Sequence, residues 1–328
     1  MVTIADVAEK AGVSISTVSY AMSGKRSISP ATRERVEAAI DALGFQPHQA
    51  ARSLASSSTN VIGLQAPLRP GVDVHVVMEI VTGVVTQMRT RGYDILLLTG
   101  DDAHGLERVA RGSMVDALLV MDIESDDPRI AALARIDQPS VLIGLPDGRR
   151  NLPCVDFDFE GAGWMATGHL AELGHRRIAL IGSPEEVMTR HTSYADRRDR
   201  GFLAACAAEG VTGSVHPCPA GADAVDALDA ILAADPSITA FFIHNEAALP
   251  HLVARLVELG LHAVDAPAVV ALCPDNVALS VPSLTDSIAV PAFAMGTAAA
   301  DAITEMLAGA RQPGVRLIPP TLTTREHV

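Results

Sequence analysis

The sequence lacks the features of an exported or membrane-bound protein. No apolar run reaches the ~18 residues that a membrane-spanning helix needs. Residues 1–7 have no basic stretch followed by an apolar one, which argues against a secretory signal peptide. We therefore expect a cytoplasmic protein with no membrane partner.

Cysteine is scarce, and Cys154, Cys206, Cys218 and Cys273 form no C-x-x-C pair. This spacing favours free thiols in a reducing compartment over a disulfide framework or a zinc site. The 11 histidines show no His-x-x-x-His spacing within a ligand set. Gly161-Ala162-Gly163 lacks the third glycine of a dinucleotide motif, and neither a nucleophile elbow nor a phosphate loop is present. We expect no metal, no cofactor and no enzymatic activity.

Lysine is scarcer still, because Lys10 and Lys25 are the only two in the chain. The net charge of −14 would by itself disfavour binding to DNA. However, residues 1–60 hold six basic and five acidic side chains, whereas residues 61–328 hold 19 and 34. The chain of 328 residues is long enough for two or three domains at ~150 residues each. The charge asymmetry indicates a DNA-compatible head on an acidic body.

The first 44 residues predict three short helices. Thr3-x-x-Asp6 is a capping-box pattern that opens the first helix, and Gly12 ends it. Ser14 can cap a second helix from Ile15 to about Met22, and Ser29-Pro30 opens a third that ends at Gly44. Two helices joined by a glycine turn fit a helix-turn-helix, although three helices could also belong to a larger fold. The second helix carries small polar and hydrogen-bonding residues on its outer face, as a DNA recognition helix does.

Residues 48–60 form a connecting segment. Residues 48–55 are helix-competent, and the polar residues that follow are typical of a flexible linker. An isolated helix of about eight residues is marginal in water, so it needs a partner to be stable.

The pattern of the body is different. Short continuous apolar runs, such as 61–64, 117–121 and 240–243, alternate with helical stretches such as 76–91 and 197–209. Such runs are typical of strands buried on both faces, and the alternation predicts two doubly wound parallel sheets. Two such halves place a ligand in the cleft between them.

The ordered motifs of the head resemble those of the LacI/GalR transcription regulators. The matching stretches are 3–8, 11–14, 16–19, 28–33, 35–40, 43–47 and 50–54. The body is similar to the same family and to periplasmic sugar-binding proteins through 155–158, 170–179, 198–202, 244–246 and 282–285.

The resemblance implies an all-α helix-turn-helix head followed by two α/β subdomains of the type I periplasmic-binding-protein kind. We divide the chain into a head at 1–47 and a hinge helix with linker at 48–60. The N-terminal effector subdomain would be 61–160 plus 290–319, and the C-terminal one 161–289 plus 320–328. The chain would cross between them near 160, 289 and 320.

For DNA, the resemblance implies roles for residues of the head and hinge. Ile15, Ser16 and Tyr20 would read bases, and Tyr20 replaces the arginine of many members, which pairs with guanine. Leu54 would be a wedge between base steps in the minor groove. The alternative is that Leu54 is an ordinary core leucine. The remaining candidates would contact phosphate or line the groove: Thr3, Ser14, Thr17, Ser19, Ser23, Arg33, Ala51, Arg52 and Ala55.

For the effector, the resemblance implies that Arg198 grips hydroxyls or a carboxylate in the cleft, unless it only forms a surface salt bridge. Four further candidates are Met121, Asp122, Tyr194 and Asn245. The sugar-binding acid usual after the strand at 268–272 is displaced, so Asp275 is only a substitute. Glu246 also replaces the usual aspartate.

The resemblance thus implies a homodimeric repressor that reads a pseudo-palindromic operator and responds to a small-molecule effector, a sugar or sugar derivative. An activator or a corepressor-dependent regulator would share these features. A solute-binding protein would have no use for the head, and a two-lobed enzyme would need catalytic residues that the sequence does not offer.

Overall fold

The computed structural model describes residues 2–23, 26–45, 58–149, 151–260, 268–310 and 314–325. In the head, three helices follow one another: α1 (Ile4–Ala11), α2 (Ile15–Ser23) and α3 (Pro30–Leu43). The predicted capping box of Thr3 and Asp6 is present, and Gly12 and Gly44 end α1 and α3 at φ values of 64° and 59°. Because residues with a Cβ rarely adopt this conformation, glycine suits both ends. Side chains from all three helices, including Val7, Val18 and Val36, form one small core.

The first sheet of the body is parallel throughout, in the order β11-β5-β4-β3-β1-β2. Its strands are β1 (Val61–Gln65), β2 (Asp94–Leu98), β3 (Ala117–Val120), β4 (Ser140–Ile143), β5 (Cys154–Phe157) and β11 (Val315–Ile318). Its helices are α4 (Val74–Arg89), α5 (Ala103–Arg111), α6 (Arg129–Leu133) and α13 (Ala292–Leu307).

The second sheet has the order β12-β10-β9-β8-β6-β7, and only β12 is antiparallel. Its strands are β6 (Arg177–Ile181), β7 (Thr212–His216), β8 (Ala240–Ile243), β9 (Ala268–Cys273), β10 (Asp286–Ala289) and β12 (Leu322–Thr324). Its helices are α7 (Phe159–Glu172), α8 (Glu185–Thr189), α9 (Ser193–Glu209), α10 (Ala224–Ala234), α11 (Leu249–Glu258) and α12 (Asp275–Leu279).

The predicted fold class, a helical head followed by two doubly wound α/β units, is confirmed. The residue-by-residue domain boundaries remain a prediction. The apolar-run pattern did not identify the partly exposed edge strands β7, β11 and β12, or the interior strands β5 and β10, in which polar residues interrupt the apolar run. An edge strand does not need to be apolar on both faces, so it lacks the continuous run that marks a central strand.

Each half of the body contains one pair of helices that approach each other at glycines. A Cβ on Gly296 of α13 would lie 2.0 Å from the carbonyl oxygen of Ile80 in α4. In the other half, a Cβ on Gly201 of α9 would lie 2.0 Å from the carbonyl oxygen of Glu160 in α7. Both distances are far below van der Waals contact, so each pair can pack this closely only because these positions carry no side chain.

Candidate DNA-binding head and ligand cleft

Helix α2 presents the predicted base-reading residues on the surface of the head. Ile15 is 51% exposed although it is apolar, and Ser16 beside it is also exposed. Val18 and Ala21 on the opposite side of the helix are buried in the small core. An exposed large apolar side chain on such a helix is suited to contact a thymine methyl group.

Hydroxyl groups cluster at the start of α2. The Ser14 Oγ accepts a hydrogen bond from the Thr17 backbone N–H at 3.2 Å and so caps the helix. It also lies 2.8 Å from the hydroxyl oxygens of Ser16 and Thr17. Each hydroxyl has further capacity, since it offers one donor and two lone pairs. Thr3 is exposed at the start of α1, where it serves as the cap.

Two arginines support the far end of α2. The Arg33 Nη1 of α3 donates to the Ala21 carbonyl oxygen at 3.1 Å, so this candidate phosphate contact also holds α3 against α2. The Arg26 guanidinium lies 5.6 Å from the centroid of the half-buried Tyr20 ring, a cation–π contact. Arg26 was not among the predicted DNA contacts. Ser19 is partly exposed on the same helix.

The hinge candidates Ala51, Arg52, Leu54 and Ala55 lie outside the described residues, as does the side chain of Ser23. Their roles stay predictions.

A cavity of about 420 Å³ lies between the two halves of the body. Its wall combines the start of α4 with residues that follow β3, β4, β6 and β8, which is where parallel sheets bind ligands. Four of the predicted effector residues line it: Met121, Asp122, Tyr194 and Asn245. The other two, Arg198 and Asp275, are not in its wall.

Asp122 is held in an unusual backbone conformation by a buried ion pair. Its φ is 52°, in the left-handed region that residues with a Cβ seldom adopt. The Arg129 guanidinium donates to the carbonyl oxygens of Met121 at 3.1 Å and Asp122 at 2.7 Å. Asp127 neutralises Arg129 at 2.6 Å, and both side chains are 1% exposed. This pair therefore fixes the end of β3 at the cavity wall.

The carboxylate of Asp122 is flanked by two arginines, one on each side of the cleft. Arg69 lies 3.3 Å from Oδ2 and Arg190 lies 3.7 Å from Oδ1. Burial nevertheless raises the pKa of Asp122, against the opposing charges of Arg190, Arg69 and Arg129. Oδ2 is buried and accepts no hydrogen bond from the described residues.

The Asn245 side chain is engaged in holding neighbouring loops. Its Nδ2 donates to the carbonyl oxygens of Cys218 at 2.8 Å and Gly182 at 3.3 Å. Its Oδ1 accepts from the Ala248 backbone N–H at 3.1 Å, next to the start of α11. The amide has little remaining capacity for a ligand, and its predicted contact with an effector stays a prediction.

An aromatic cluster forms one side of the cavity. The His244 ring stacks on Phe159 with centroids 5.7 Å apart and meets Tyr194 edge-on at the same distance. Burial raises the pKa of the Tyr194 phenol to about 12, so this group stays protonated. Burial, with the charge of Arg198, lowers the pKa of His244 well below its usual range, so this ring is neutral near pH 7.

Arg198 lies behind this cluster and is fully buried. Its guanidinium pairs with Asp199 at 2.6 Å and bonds to His244 Nδ1 at 3.0 Å and to the Met188 sulfur at 3.4 Å. A direct grip on an effector would require it to leave these partners. Asp275 is exposed at the start of α12 and does not line the cavity, because the chain enters a helix directly after β9.

Among the described residues that line the cavity, the charged groups are acidic. They are Asp73, Asp122, Asp156 and Glu246. Burial raises the pKa of Glu246 to about 7, and the nearby charge of Asp73 adds to this effect. Asp156 is paired with Arg197 at 2.6 Å, and both side chains are almost fully buried.

The two halves also meet beside the cavity through backbone contacts. The Ser193 N–H donates to the Ile123 carbonyl oxygen, and the Ser125 N–H donates to that of His191, both at 2.8 Å. The Ser125 hydroxyl donates to Asp196 at 2.6 Å. These contacts hold one edge of the cleft closed.

Two family models match the chain. "Bacterial regulatory proteins, lacI family" matches residues 3–48, and "Periplasmic binding protein-like domain" matches residues 167–327. Together they cover more than half of the sequence. The chain belongs to the LacI family. This is a family of transcription regulators and not of enzymes.

Individual relatives agree with this assignment. The regulator RafR of Escherichia coli is 36% identical over 208 residues, which are 60% of this chain and 58% of RafR. The alignment thus spans less than two thirds of that relative. A solved CelR–cellobiose complex is 28% identical and matches the whole of both chains with a TM-score of 0.68. The operator-bound lac repressor dimer has the same fold, with a TM-score of 0.82, 22% identity and coverage of 99% and 98%.

Polar residues of this LacI-family cleft that were not predicted effector contacts include Asp73, Asp156 and His244, and Glu246 was noted only as a departure from the family pattern. The sequence position of His244 and Glu246 indicates a place in the cleft, because both follow directly after β8 at the carboxyl edge of the second sheet. Asp73 is the cap of α4 and accepts from the His75 N–H at 2.8 Å. In the described part of the chain, no helix is long and apolar enough to cross a membrane, and no cluster of potential metal ligands occurs.

Proposed function

We propose that this chain is a sequence-specific transcriptional repressor in the cytoplasm whose operator affinity is set by a small molecule bound in the cleft. The observation that carries the proposal is that one chain contains two functional parts. One is a helix-turn-helix head with an exposed polar helix α2, and the other is a 420 Å³ cavity between two α/β halves. A DNA-binding head alone does not need a ligand cavity, and a ligand-binding protein alone does not need a DNA-binding head.

We infer that the head reads the major groove through α2. Ile15 and Ser16 offer an apolar contact and a hydroxyl, and Tyr20 offers a ring and a phenol in place of a bidentate arginine. The operator half-site should therefore differ from that of members with arginine at this position. Contacts of Thr3, Ser14, Thr17 and Arg33 with phosphate would position the head without specifying sequence.

We infer that the effector is an uncharged polyhydroxyl compound, of the sugar class. The carboxylates and the neutral donors of the cavity wall suit hydroxyl groups, whereas a phosphate or carboxylate would meet repulsion from Asp73 and Glu246. The cellobiose in the CelR complex makes a neutral disaccharide a reasonable first probe.

We further propose a homodimer, since a pseudo-palindromic operator requires two heads related by a two-fold axis. Helix α4 offers a face for the second copy, because its apolar residues Val74, Met78 and Val85 are exposed on one side. Phe293 at the start of α13 continues this face. In the proposed mechanism the ligand changes the cleft and thereby the spacing of the heads, which lowers operator affinity.

The test is selection of bound sites from a random DNA pool with the purified full chain at stated salt. A recovered palindrome supports the regulator, and Tyr20→Arg should then change the base preference of the half-site. If no site is enriched, the selection is repeated with a mixture of neutral sugars. Enrichment only with sugar would favour the alternative of a corepressor-dependent regulator, and no enrichment in either case would contradict the proposal.

A further inference from the structure

We propose that His244 is a specificity-determining hydrogen-bond donor of the cleft and that Arg198 is a positioning residue that decides which His244 nitrogen carries the proton. The part of this inference that concerns a ligand rests on the proposed function. The part that concerns the two side chains does not.

The direction of the hydrogen bond between the two residues determines the tautomer of His244. The Arg198 Nη1 lies 3.0 Å from His244 Nδ1. A guanidinium has donors only, so Nδ1 must be the acceptor and cannot carry a proton. The ring is 5% exposed and its pKa is lowered by burial, so it is neutral and has a single proton. That proton must therefore be on Nε2.

The surroundings of Nε2 determine whether its proton can reach a ligand. His244 lines the cavity, and the acceptor found near Nε2 among the described residues is Glu246 Oε1 at 3.8 Å, beyond hydrogen-bonding distance. His244 lines the cavity, so this N–H can donate to a ligand bound there. The stacked Phe159 ring and the edge-on Tyr194 ring hold the imidazole plane in place.

A group that bridges Nε2 and Glu246 must lie beside the pair, because the two atoms are only 3.8 Å apart. An oxygen at about 2.8 Å from each can accept from the Nε2–H and donate to the ionised carboxylate at the same time. A hydroxyl group does both, whereas an ether oxygen can only accept and an ammonium can only donate. The pair thus selects a hydroxyl at this point of the ligand.

Arg198 itself does not line the cavity. Its ion pair with Asp199 and its bonds to His244 and Met188 engage the guanidinium behind the cavity wall. It acts on a ligand through His244. This interpretation differs from a direct contact with the effector, and the two can be separated by experiment.

The tautomer is measured on the ligand-free full chain labelled with ¹⁵N-histidine, with His244→Gln used to assign the signals. We expect an unprotonated Nδ1 and a protonated Nε2 for His244, and loss of this preference in Arg198→Ala. A proton on Nδ1 in the unmodified chain would overturn the proposal. This measurement needs no ligand, so it stays decisive even if the proposed function fails.

The role in binding is measured with the sugar that raises the melting temperature most among cellobiose, maltose, lactose and melibiose. His244→Phe keeps the ring packing but removes both nitrogens, and should weaken binding about tenfold. His244→Gln keeps a donor and should stay within about threefold of the unmodified chain. His251→Gln, an exposed histidine on α11, is the matched control and should change nothing.

A double-mutant cycle separates positioning from direct contact. If Arg198 acts through His244, Arg198→Ala should weaken sugar binding in the unmodified chain but have no further effect in the His244→Phe background. Additive losses would show a direct contact of Arg198 and would contradict its assignment as a positioning residue. If none of the four sugars binds, the sugar class of the proposed function fails, and the ¹⁵N measurement still decides the tautomer.

Discussion

Asp127 illustrates how one buried carboxylate can shape a binding wall without lining it. It accepts from the backbone N–H groups of Glu124 and Arg129 at 3.1 and 2.8 Å and neutralises the Arg129 guanidinium. Arg129 in turn holds the carbonyl oxygens of Met121 and Asp122. The left-handed φ of Asp122 is therefore supported by an ion pair that is almost fully buried.

Replacing this carboxylate should be severely destabilising. We expect Asp127→Asn to lower the free energy of unfolding by about 3–5 kcal/mol, because it leaves the Arg129 charge buried and unpaired. Urea denaturation at pH 7 measures this. Arg135→Ala is the control, since Arg135 is exposed and lies 3.5 Å from Glu107, and it should change stability by less than about 0.5 kcal/mol. Equal effects of the two substitutions would contradict the role of the buried pair.

The same carboxylate also makes stability depend on pH in a known direction. Burial alone would raise the pKa of Asp127, but the hydrogen bonds and charge of Arg129 lower it below its usual value. The contribution of Asp127 to the free energy of unfolding is therefore fully present above the pKa that this carboxyl has in the unfolded chain. It is lost as the pH falls through the lower pKa of the folded state. The effect of Glu246 on stability has the opposite dependence on pH, because burial raises its pKa to about 7.

We expect the ligand-free chain to lose stability as the pH rises from about 4.5 to 7, partly through Glu246, because the folded state must give up a proton that it binds more tightly. Glu246→Gln should remove that part of the slope and stabilise the ligand-free protein at pH 7.5 by ~1–3 kcal/mol. Thermal unfolding of both chains across this pH range measures it. A steeper pH dependence in the variant would contradict the assignment.

At the scale of elements, the two glycine contacts determine how closely the helix pairs of the body approach. Gly201→Ala would place a methyl group 2.0 Å from the backbone oxygen of Glu160, so α7 and α9 must separate. We expect a loss of about 3 kcal/mol in the free energy of unfolding. Gly168→Ala on the same α7 is the control, because no atom lies within 4 Å of its added Cβ. It should stabilise the protein by ~0.5–1 kcal/mol, and similar losses for both variants would contradict this account.

The exposed face of α4 should be the contact between two copies. Met78→Asp places a charge on a residue that is 44% exposed in the single chain and should convert the proposed dimer to a monomer, as measured by sedimentation. Leu279→Asp is the matched control on α12, where the leucine is 69% exposed and outside this face. A monomer with Leu279→Asp but not with Met78→Asp would place the interface elsewhere.

Most central strands and the three head helices could be predicted from sequence because their signals are local, whereas β5 and β10 contain polar residues and were not identified. Continuous apolar runs mark β3 and β8, and capping residues such as Thr3 and Ser29 mark helix starts. The cleft was only partly predictable. The bond between Arg198 and His244 joins residues 46 positions apart, and it depends on how α9 packs beside β8. No local pattern carries that information, and the family pattern alone suggested a direct role for Arg198.

The whole molecule combines a nearly neutral head with a strongly acidic body. This distribution favours DNA contact through the head alone, because the body is repelled by phosphate. In the proposed mechanism, communication between the parts involves the cleft, where contacts such as Ser193 to Ile123 join the two halves. If a ligand changes these contacts as proposed, linkage requires operator and ligand to affect each other's binding equally.

The most direct test of this account is the affinity of the full chain for its selected operator, measured by fluorescence anisotropy at fixed salt with and without a saturating neutral sugar that binds the cleft. We predict a change of about 5–150-fold in the operator Kd, and the same factor in the sugar Kd when operator is present. An unchanged operator Kd, with a sugar whose binding His244→Phe weakens, would contradict the coupling of cleft and head.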